Sequence, residues 1–266
     1  MAEATEEYRT DFQHNKRILG QFYGTNNGPT VVIFAGIHGH EMAGVHASDR
    51  VIKKIDEEHI KFKGNLHIVL GNINALNKNI RFETHDLNRI WQKDHIKELE
   101  SRDDGFYPEE REQRDILAII KYILEHEPGP FYFLDLHTTS SSSVPFITIS
   151  DSLNNRKFSA NFPIPVVLGI EEYLDGPLLT YINEYGHIAL GFEGGSHNAV
   201  SSIKNCEAFI WKALVHSKCL DKSALSDYDY YKKALSDLCC EYKFFAIKYR
   251  YELMDNEDFK MKPGFV

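Results

Sequence analysis

Val31-Val-Ile-Phe-Ala-Gly-Ile-His-Gly-His-Glu41 is the stretch on which the reading of this chain turns. Its apolar run, Val31 to Ile37, has the length and β-branched content of a buried strand, with Gly28-Pro29 before it and Gly39 after it. His38 ends the run, and a helical pattern starts around Glu41, with Met42, Val45, Val51 and Ile55 as its apolar stripe. The stretch therefore predicts a strand-to-helix corner with His38 at the strand's C-terminal end and Glu41 in or near the first helical turn. Open α/β sheets bind their ligands at such corners, and an imidazole next to a carboxylate is a pair that Zn²⁺ accepts.

Outward from this corner, strands alternate with helices. Arg17 to Tyr23 is expected as an edge strand, and Leu66 to Leu70, Phe131 to Leu136, Pro145 to Ile149, Pro165 to Leu168 and His187 to Phe192 as further strands. Helices are expected over Glu41 to Glu58, Pro108 to Glu127 (buried face Ile116, Ile119, Ile120 and Ile123), Ser152 to Ala160, Ala199 to Lys218 and Tyr228 to Cys240. Asn72 to Trp91 reads as a long irregular functional loop, Gln92 to Asp104 as a charged, solvated stretch, and Thr138 to Ser143 as a Ser-rich turn. The alternation predicts an α/β fold, a three-layer α/β/α sandwich on a mostly parallel mixed sheet. Residues 1–240 are expected to form the main domain. A small C-terminal β unit is expected to begin over residues 241–266, where a weakly alternating pattern starts near Tyr242.

Composition narrows the function classes. With 266 residues, 42% hydrophobic and 26% charged, the chain has the balance of a globular protein with a substantial core. A net charge of −9 argues against nucleic acid as a partner. No apolar run reaches the length of a membrane span, and the acidic N-terminus is not a secretory signal, so a cytoplasmic location is expected. Cys206, Cys219, Cys239 and Cys240 show no Cys-x-x-Cys spacing and read as reduced thiols.

Three of the expected strands end in a group able to bind metal or protons: His38, His137 and Glu193. Strand ends on one edge of a parallel sheet converge in space. With Glu41 they supply two histidines and a carboxylate for one Zn²⁺ ion per chain, and Glu193 is then a free carboxylate beside it. His-x-x-Glu alone carries little information, since His95-Ile-Lys-Glu98 repeats it in a charged stretch and reads as a solvated pair. The buried strand and flanking glycines distinguish the first copy. Asp135, two residues before His137, is equally open to a supporting or a purely structural role. His40 reads as a lining residue, and His197 and His85 as loop histidines. Ser196 lacks a nucleophile elbow, and Gly191-Phe-Glu-Gly-Gly195 lacks the ending of a phosphate loop.

Four segments together, Gly36-Ile-His-Gly-His-Glu41, Asp86-Leu-Asn-Arg89, Leu134-Asp-Leu-His137 and Phe192-Glu-Gly194, resemble the succinylglutamate desuccinylase/aspartoacylase family in order and approximate spacing. That family is a branch of the zinc carboxypeptidase fold, and the resemblance covers roughly residues 15–215. It implies His38, Glu41 and His137 as zinc ligands and Glu193 as the catalytic carboxylate. It also implies Arg81 as the group polarising the scissile carbonyl, Asn88 and Arg89 as the holders of a substrate carboxylate, and Asp86 as the acid orienting His38. The implied activity is removal of an acyl group from a small, carboxylate-bearing N-acyl amino acid. The alternatives are a zinc carboxypeptidase on short or cell-wall peptides and a non-catalytic carboxylate-binding relative. Members of the family usually carry a C-terminal β-rich domain, so the short stretch after residue 240 predicts a truncated or unusually short member. The sequence leaves the acyl group and the oligomeric state, a homo-oligomer included, open.

Overall fold

A computed structural model of the chain describes residues 16–24, 28–103, 106–170, 173–238, 243–251, 254 and 257–259. Its strands are β1 (Ile18–Phe22), β2 (Thr30–Ala35), β3 (Asn65–Leu70), β4 (Phe131–Thr139), β5 (Phe146–Ile149), β6 (Val166–Leu168), β7 (Ile188–Ser196) and β8 (Phe244–Ala246). The helices are α1 (Ala43–Glu58), α2 (Ile73–Lys78), α3 (Lys93–Ser101), α4 (Pro108–His126), α5 (Leu153–Ser159), α6 (Leu178–Asn183), α7 (Val200–His216) and α8 (Tyr228–Ser236). The described strands form one sheet in the order β1-β3-β2-β4-β7-β5-β6-β8. Only the β1–β3 and β5–β7 pairs among them are antiparallel.

β2 is buried along its whole length, as expected of a central parallel strand covered on both faces. Its alternate residues serve two cores. Val31, Ile33 and Ala35 pack with Val45, Val51 and Ile55 of α1 and with the apolar faces of α7 and α8. Val32 and Phe34 face the opposite way, towards Ile116, Ile120 and Ile123 of α4 and Leu178 and Ile182 of α6. Period-2 alternation in the strand thus produces the three layers. After β2 the chain crosses one face to β3, then returns over the other face to β4 on β2's far side. The crevice at the C-terminal ends of β2 and β4 is therefore the switch point of the sheet.

Several local expectations are corrected. The stretch Asn72 to Trp91 is not irregular throughout. It holds α2, whose first turn is capped by the Asn72 side chain accepting from Ala75 N at 3.0 Å, and a 3-10 turn at Leu87–Arg89. Gln92 to Asp104 is not merely solvated, because α3 buries Ile96 and Leu99. On α4, Leu117 rather than Ile119 completes the buried face. α6, a short helix entered through Pro177, has no counterpart in the periodicity reading. Phe244–Ala246 pairs with β6 as an edge strand of the main sheet. Tyr242 and residues 260–266 lie outside the described residues, as do Cys239 and Cys240.

Candidate functional site

The corner after β2 is shaped by two glycines. Gly36 has φ +73°, and a Cβ there would meet Leu76 Cδ2 at 2.7 Å. Gly39 lies so close to α2 that a Cβ would stand 2.1 Å from the Ala75 carbonyl carbon, and its N–H donates to Arg81 O at 3.2 Å. The turn is closed by Glu41 N–H donating to His38 O at 3.1 Å. Glu41 thus sits just before α1 rather than inside its first turn, with its side chain 3% exposed and turned towards the ends of β2 and β4.

His38, Glu41 and His137 each offer one ligand atom, and the three atoms lie within 4.8 Å of one another. His38 Nδ1 is 2.8 Å from Glu41 Oε1, and His137 Nδ1 is 3.1 Å from Glu41 Oε2. The far nitrogens are anchored in the same manner: His38 Nε2 lies 2.9 Å from Asp86 Oδ1 and His137 Nε2 lies 2.7 Å from Asp135 Oδ2. Carboxylates on the outer nitrogens fix ring orientation and tautomer, leaving both Nδ1 atoms aimed at the same point. Asp135, whose role the sequence leaves open, is the hydrogen-bond partner of His137.

The electrostatics favour positive charge at that point. Burial alone would raise the Glu41 carboxyl, but attraction to His137 and hydrogen bonds from His137 and His38 hold it well below the usual carboxylate range. Burial alone would lower His137, and the Asp135 and Glu41 carboxylates overcome it and hold the imidazole well above its ordinary range. Asp86 is likewise held low, its burial outweighed by His38 and Arg81. Two imidazoles and a carboxylate in this arrangement fit the donor set of a zinc-type ion.

The loop carrying Arg81 to Arg89 folds over this group. Arg81 Nη2 pairs with Asp86 Oδ2 at 2.9 Å, and its Nη1 stands 3.7 Å from Glu41 Oε1. Asp86 caps the 3-10 turn by accepting from Asn88 N at 2.9 Å. Asn88 accepts from Leu178 N at 2.9 Å through its carboxamide oxygen, and Arg89 Nη1 donates to Asn88 O at 2.7 Å. Sequence reasoning missed the group that holds this loop from below, Glu109 in the first turn of α4. It is fully buried and accepts from Glu83 N at 2.6 Å, Thr84 Oγ1 at 2.6 Å and His85 N at 3.2 Å. A first-turn glutamate ordinarily reads as a response to the helix dipole, so no local signal separated it.

Register brings Glu193 to the same place. β4 and β7 pair so that His137 is opposite Glu193. Glu193 lines a cleft of about 300 Å³ shared with His38, Glu41, Arg81, Asn88, Arg89 and His137. One of its oxygens, Oε2, is shut off from solvent with no hydrogen-bond partner among the described residues. Burial pushes its carboxyl up to about 7, with His137 opposing and Glu41 reinforcing the rise. The carboxyl is thereby held near neutrality beside the His38, Glu41 and His137 cluster.

Two further histidines stand next to this group. His40 and His197 have ring centroids 4.6 Å apart in an edge-on arrangement, and with Glu41 they offer a second set of three ligand atoms within 4.8 Å. His197 Nδ1 and Thr138 Oγ1 share a hydrogen bond of 2.7 Å, and Thr138 N–H donates to Glu41 Oε2 at 2.9 Å. Thr138 is thus a strand residue inside the site rather than part of a flexible turn, and His197 is no remote loop histidine. His85 stacks near Tyr107, away from the cluster. His95 lies against Glu110 and takes no part.

Comparison with known proteins identifies relatives of this fold. A family profile, the succinylglutamate desuccinylase/aspartoacylase catalytic domain, matches residues 27–209, more than half of the chain. A succinylglutamate desuccinylase of Pseudomonas paraeruginosa is 31% identical over 70 residues, 26% of this chain and 21% of that protein, so the match spans about a fifth of that relative's length. Among solved structures, a succinylglutamate desuccinylase/aspartoacylase from Rhodobacter sphaeroides superposes with a TM-score of 0.63 at 17% identity, covering 85% of this chain and 64% of that one. The succinylglutamate desuccinylase from Chromobacterium violaceum gives 0.63 at 17% identity, covering 88% and 73%. At these identities the structural likeness speaks for the fold. The strand-to-helix corner, the sheet order and the profile match together make this chain a member of the succinylglutamate desuccinylase/aspartoacylase family through its catalytic domain.

Proposed function

We infer that the chain is a zinc-dependent amidohydrolase that removes an acyl group from an N-acyl amino acid. The observation that carries this reading is the meeting of both Nδ1 atoms at the Glu41 carboxylate, with the Glu193 carboxyl, its Oε2 without a partner among the described residues, in the same cleft. His38, Glu41 and His137 would hold the ion, oriented by Asp86 and Asp135. Zinc bound there supplies Lewis-acid polarisation and water of lowered pKa.

The remaining steps belong to the chain's own residues. Glu193 takes a proton from the attacking water as its oxygen bonds to the amide carbon, and returns that proton to the nitrogen as the C–N bond breaks. The products are a carboxylate and a free amine. Arg81, whose guanidinium reaches to within 3.7 Å of Glu41, stabilises negative charge developing on the carbonyl oxygen. Arg89 supplies the planar fork for the substrate carboxylate, and Asn88 adds an amide donor once its oxygen is committed to Leu178 N. A cleft of about 300 Å³ suits a small substrate of this kind.

The test is a panel of N-acyl amino acids and dipeptides offered to the zinc-loaded protein, the chelated protein and Glu193→Gln. Hydrolysis of N-acyl amino acids that stops on chelation and in the variant supports the reading. Preference for dipeptides replaces it with a carboxypeptidase, and bound zinc without turnover replaces it with a carboxylate-binding protein.

The domain reading stays a proposal as well: residues 1–240 as the hydrolase unit, with residues 241–266 beginning a C-terminal β unit. The pairing of Phe244–Ala246 with β6 supports continuity of any such unit with the main sheet. A cytoplasmic location is part of the same proposal; separately, no described helix is long and apolar enough to cross a membrane.

A further inference from the structure

We propose that His40, His197 and Glu41 form a second divalent-metal site, with the Glu41 carboxylate bridging two ions. The inference rests on reading His38, Glu41 and His137 as the first site and adds a second, weaker one beside it.

Four observations carry it. The second set of ligand atoms, like the first, lies wholly within 4.8 Å, and the two sets share a carboxylate with two oxygens. Bridging carboxylates and ions about 3.5–4 Å apart are the recurring form of two-metal hydrolytic sites. The His40 and His197 rings meet edge-on at an angle of 67° with centroids 4.6 Å apart, which places the two imidazoles side by side at this corner.

The outer side of the second set is also built. Thr138 holds two of its three members, through Oγ1 to His197 Nδ1 at 2.7 Å and through its N–H to Glu41 Oε2 at 2.9 Å. With Nδ1 engaged, His197 has Nε2 left for an ion, mirroring the way Asp86 and Asp135 engage the outer nitrogens of the first pair. Finally, His40 Nδ1 is closed off from solvent and has no hydrogen-bond partner among the described residues. A buried polar nitrogen left so is costly, and an ion at this corner satisfies the imidazole. Two imidazoles and one carboxylate oxygen select a zinc-class ion over Ca²⁺ or Mg²⁺. Half-exposed ligands and a shared carboxylate make the second site the weaker.

The experiment is zinc binding to the metal-stripped full chain by equilibrium dialysis against buffered free zinc, with bound metal counted by elemental analysis. A parallel Co²⁺ titration is followed by its visible absorption. The wild type takes up two equivalents in two steps. His197→Ala and His40→Ala keep the tight step and weaken the second by at least about tenfold, the lower bound seen even for outer-shell partners. His38→Ala loses the tight step. Should an alanine variant fail to fold, His197→Gln and His40→Asn replace it, with circular dichroism as the check. A single equivalent in the wild type, sensitive to His38→Ala and indifferent to His197→Ala, overturns the second site and leaves the proposed function standing. A single equivalent lost only in His197→Ala overturns both the bridging carboxylate proposed here and that function. No bound zinc overturns both.

Discussion

The carboxyl of Glu193 makes a stability prediction that needs no substrate. In the metal-free protein burial lifts it from the ordinary glutamate value of 4.5 to about 7. A carboxyl held above its unfolded range contributes stability while protonated. That contribution is fully present below about 4.5 and is lost as the pH rises through about 7, because the unfolded chain then gains more from ionisation than the folded one. Each pH unit between the two values is worth about 1.4 kcal/mol, so the wild type should lose about 2–3 kcal/mol of unfolding free energy between pH 5 and pH 8 through this group alone. Glu193→Gln keeps the shape and removes the titration. Urea unfolding of both chelated proteins at intervals from pH 5 to pH 8 isolates the group and its coupling to the adjoining cluster, since titrations remote from Glu193 cancel in the difference. The variant should become progressively more stable than the wild type as pH rises, and one equivalent of zinc should flatten the difference by favouring the ionised form. Parallel curves across this range in the chelated proteins, or a difference of opposite slope, would refute the burial argument for Glu193.

Further outcomes follow from other contacts. In the zinc-loaded protein, on the proposed role of Glu193, Glu193→Gln should lower kcat by about 10²–10⁴-fold, the usual loss for a general base, read from initial rates on a responsive N-acyl amino acid. Arg89→Lys should raise KM by roughly tenfold with kcat changed far less, because a bidentate carboxylate contact becomes a single one; an equal fall in kcat would place Arg89 at the reacting carbonyl instead. Asp135→Asn should weaken zinc binding by about 10–100-fold in chelator competition, since it loosens the 2.7 Å anchor of His137. Gly39→Ala should destabilise the fold by about 1–3 kcal/mol or more, seen in the urea midpoint, because its methyl would stand 2.1 Å from backbone.

Much of the centre was legible because its residues sit at ends of strongly patterned elements. β2, with every residue buried, left an unbroken apolar run, and strands ending in His38, His137 and Glu193 could be expected to converge. The pairing of His137 with Glu193 was not readable, since it depends on β4 and β7 becoming neighbours in one register. α2 and α6, six residues each, are too short for a helical period to show, and they are held by a cap and by packing. Glu109 and Thr138 have ordinary local roles in sequence and acquire their function from what folds onto them. His197 was legible only as a loop histidine, because nothing in the chain near it points to His40, 157 positions earlier.

Anomalous diffraction at the zinc edge, on crystals of the full chain loaded with zinc, tests the central claim most directly. A peak at bonding distance, about 2.0–2.2 Å, from His38 Nδ1, His137 Nδ1 and a Glu41 carboxylate oxygen is the predicted result. With zinc saturating, a density map empty at that point, or an ion bound elsewhere with these three side chains still paired to one another, would contradict it.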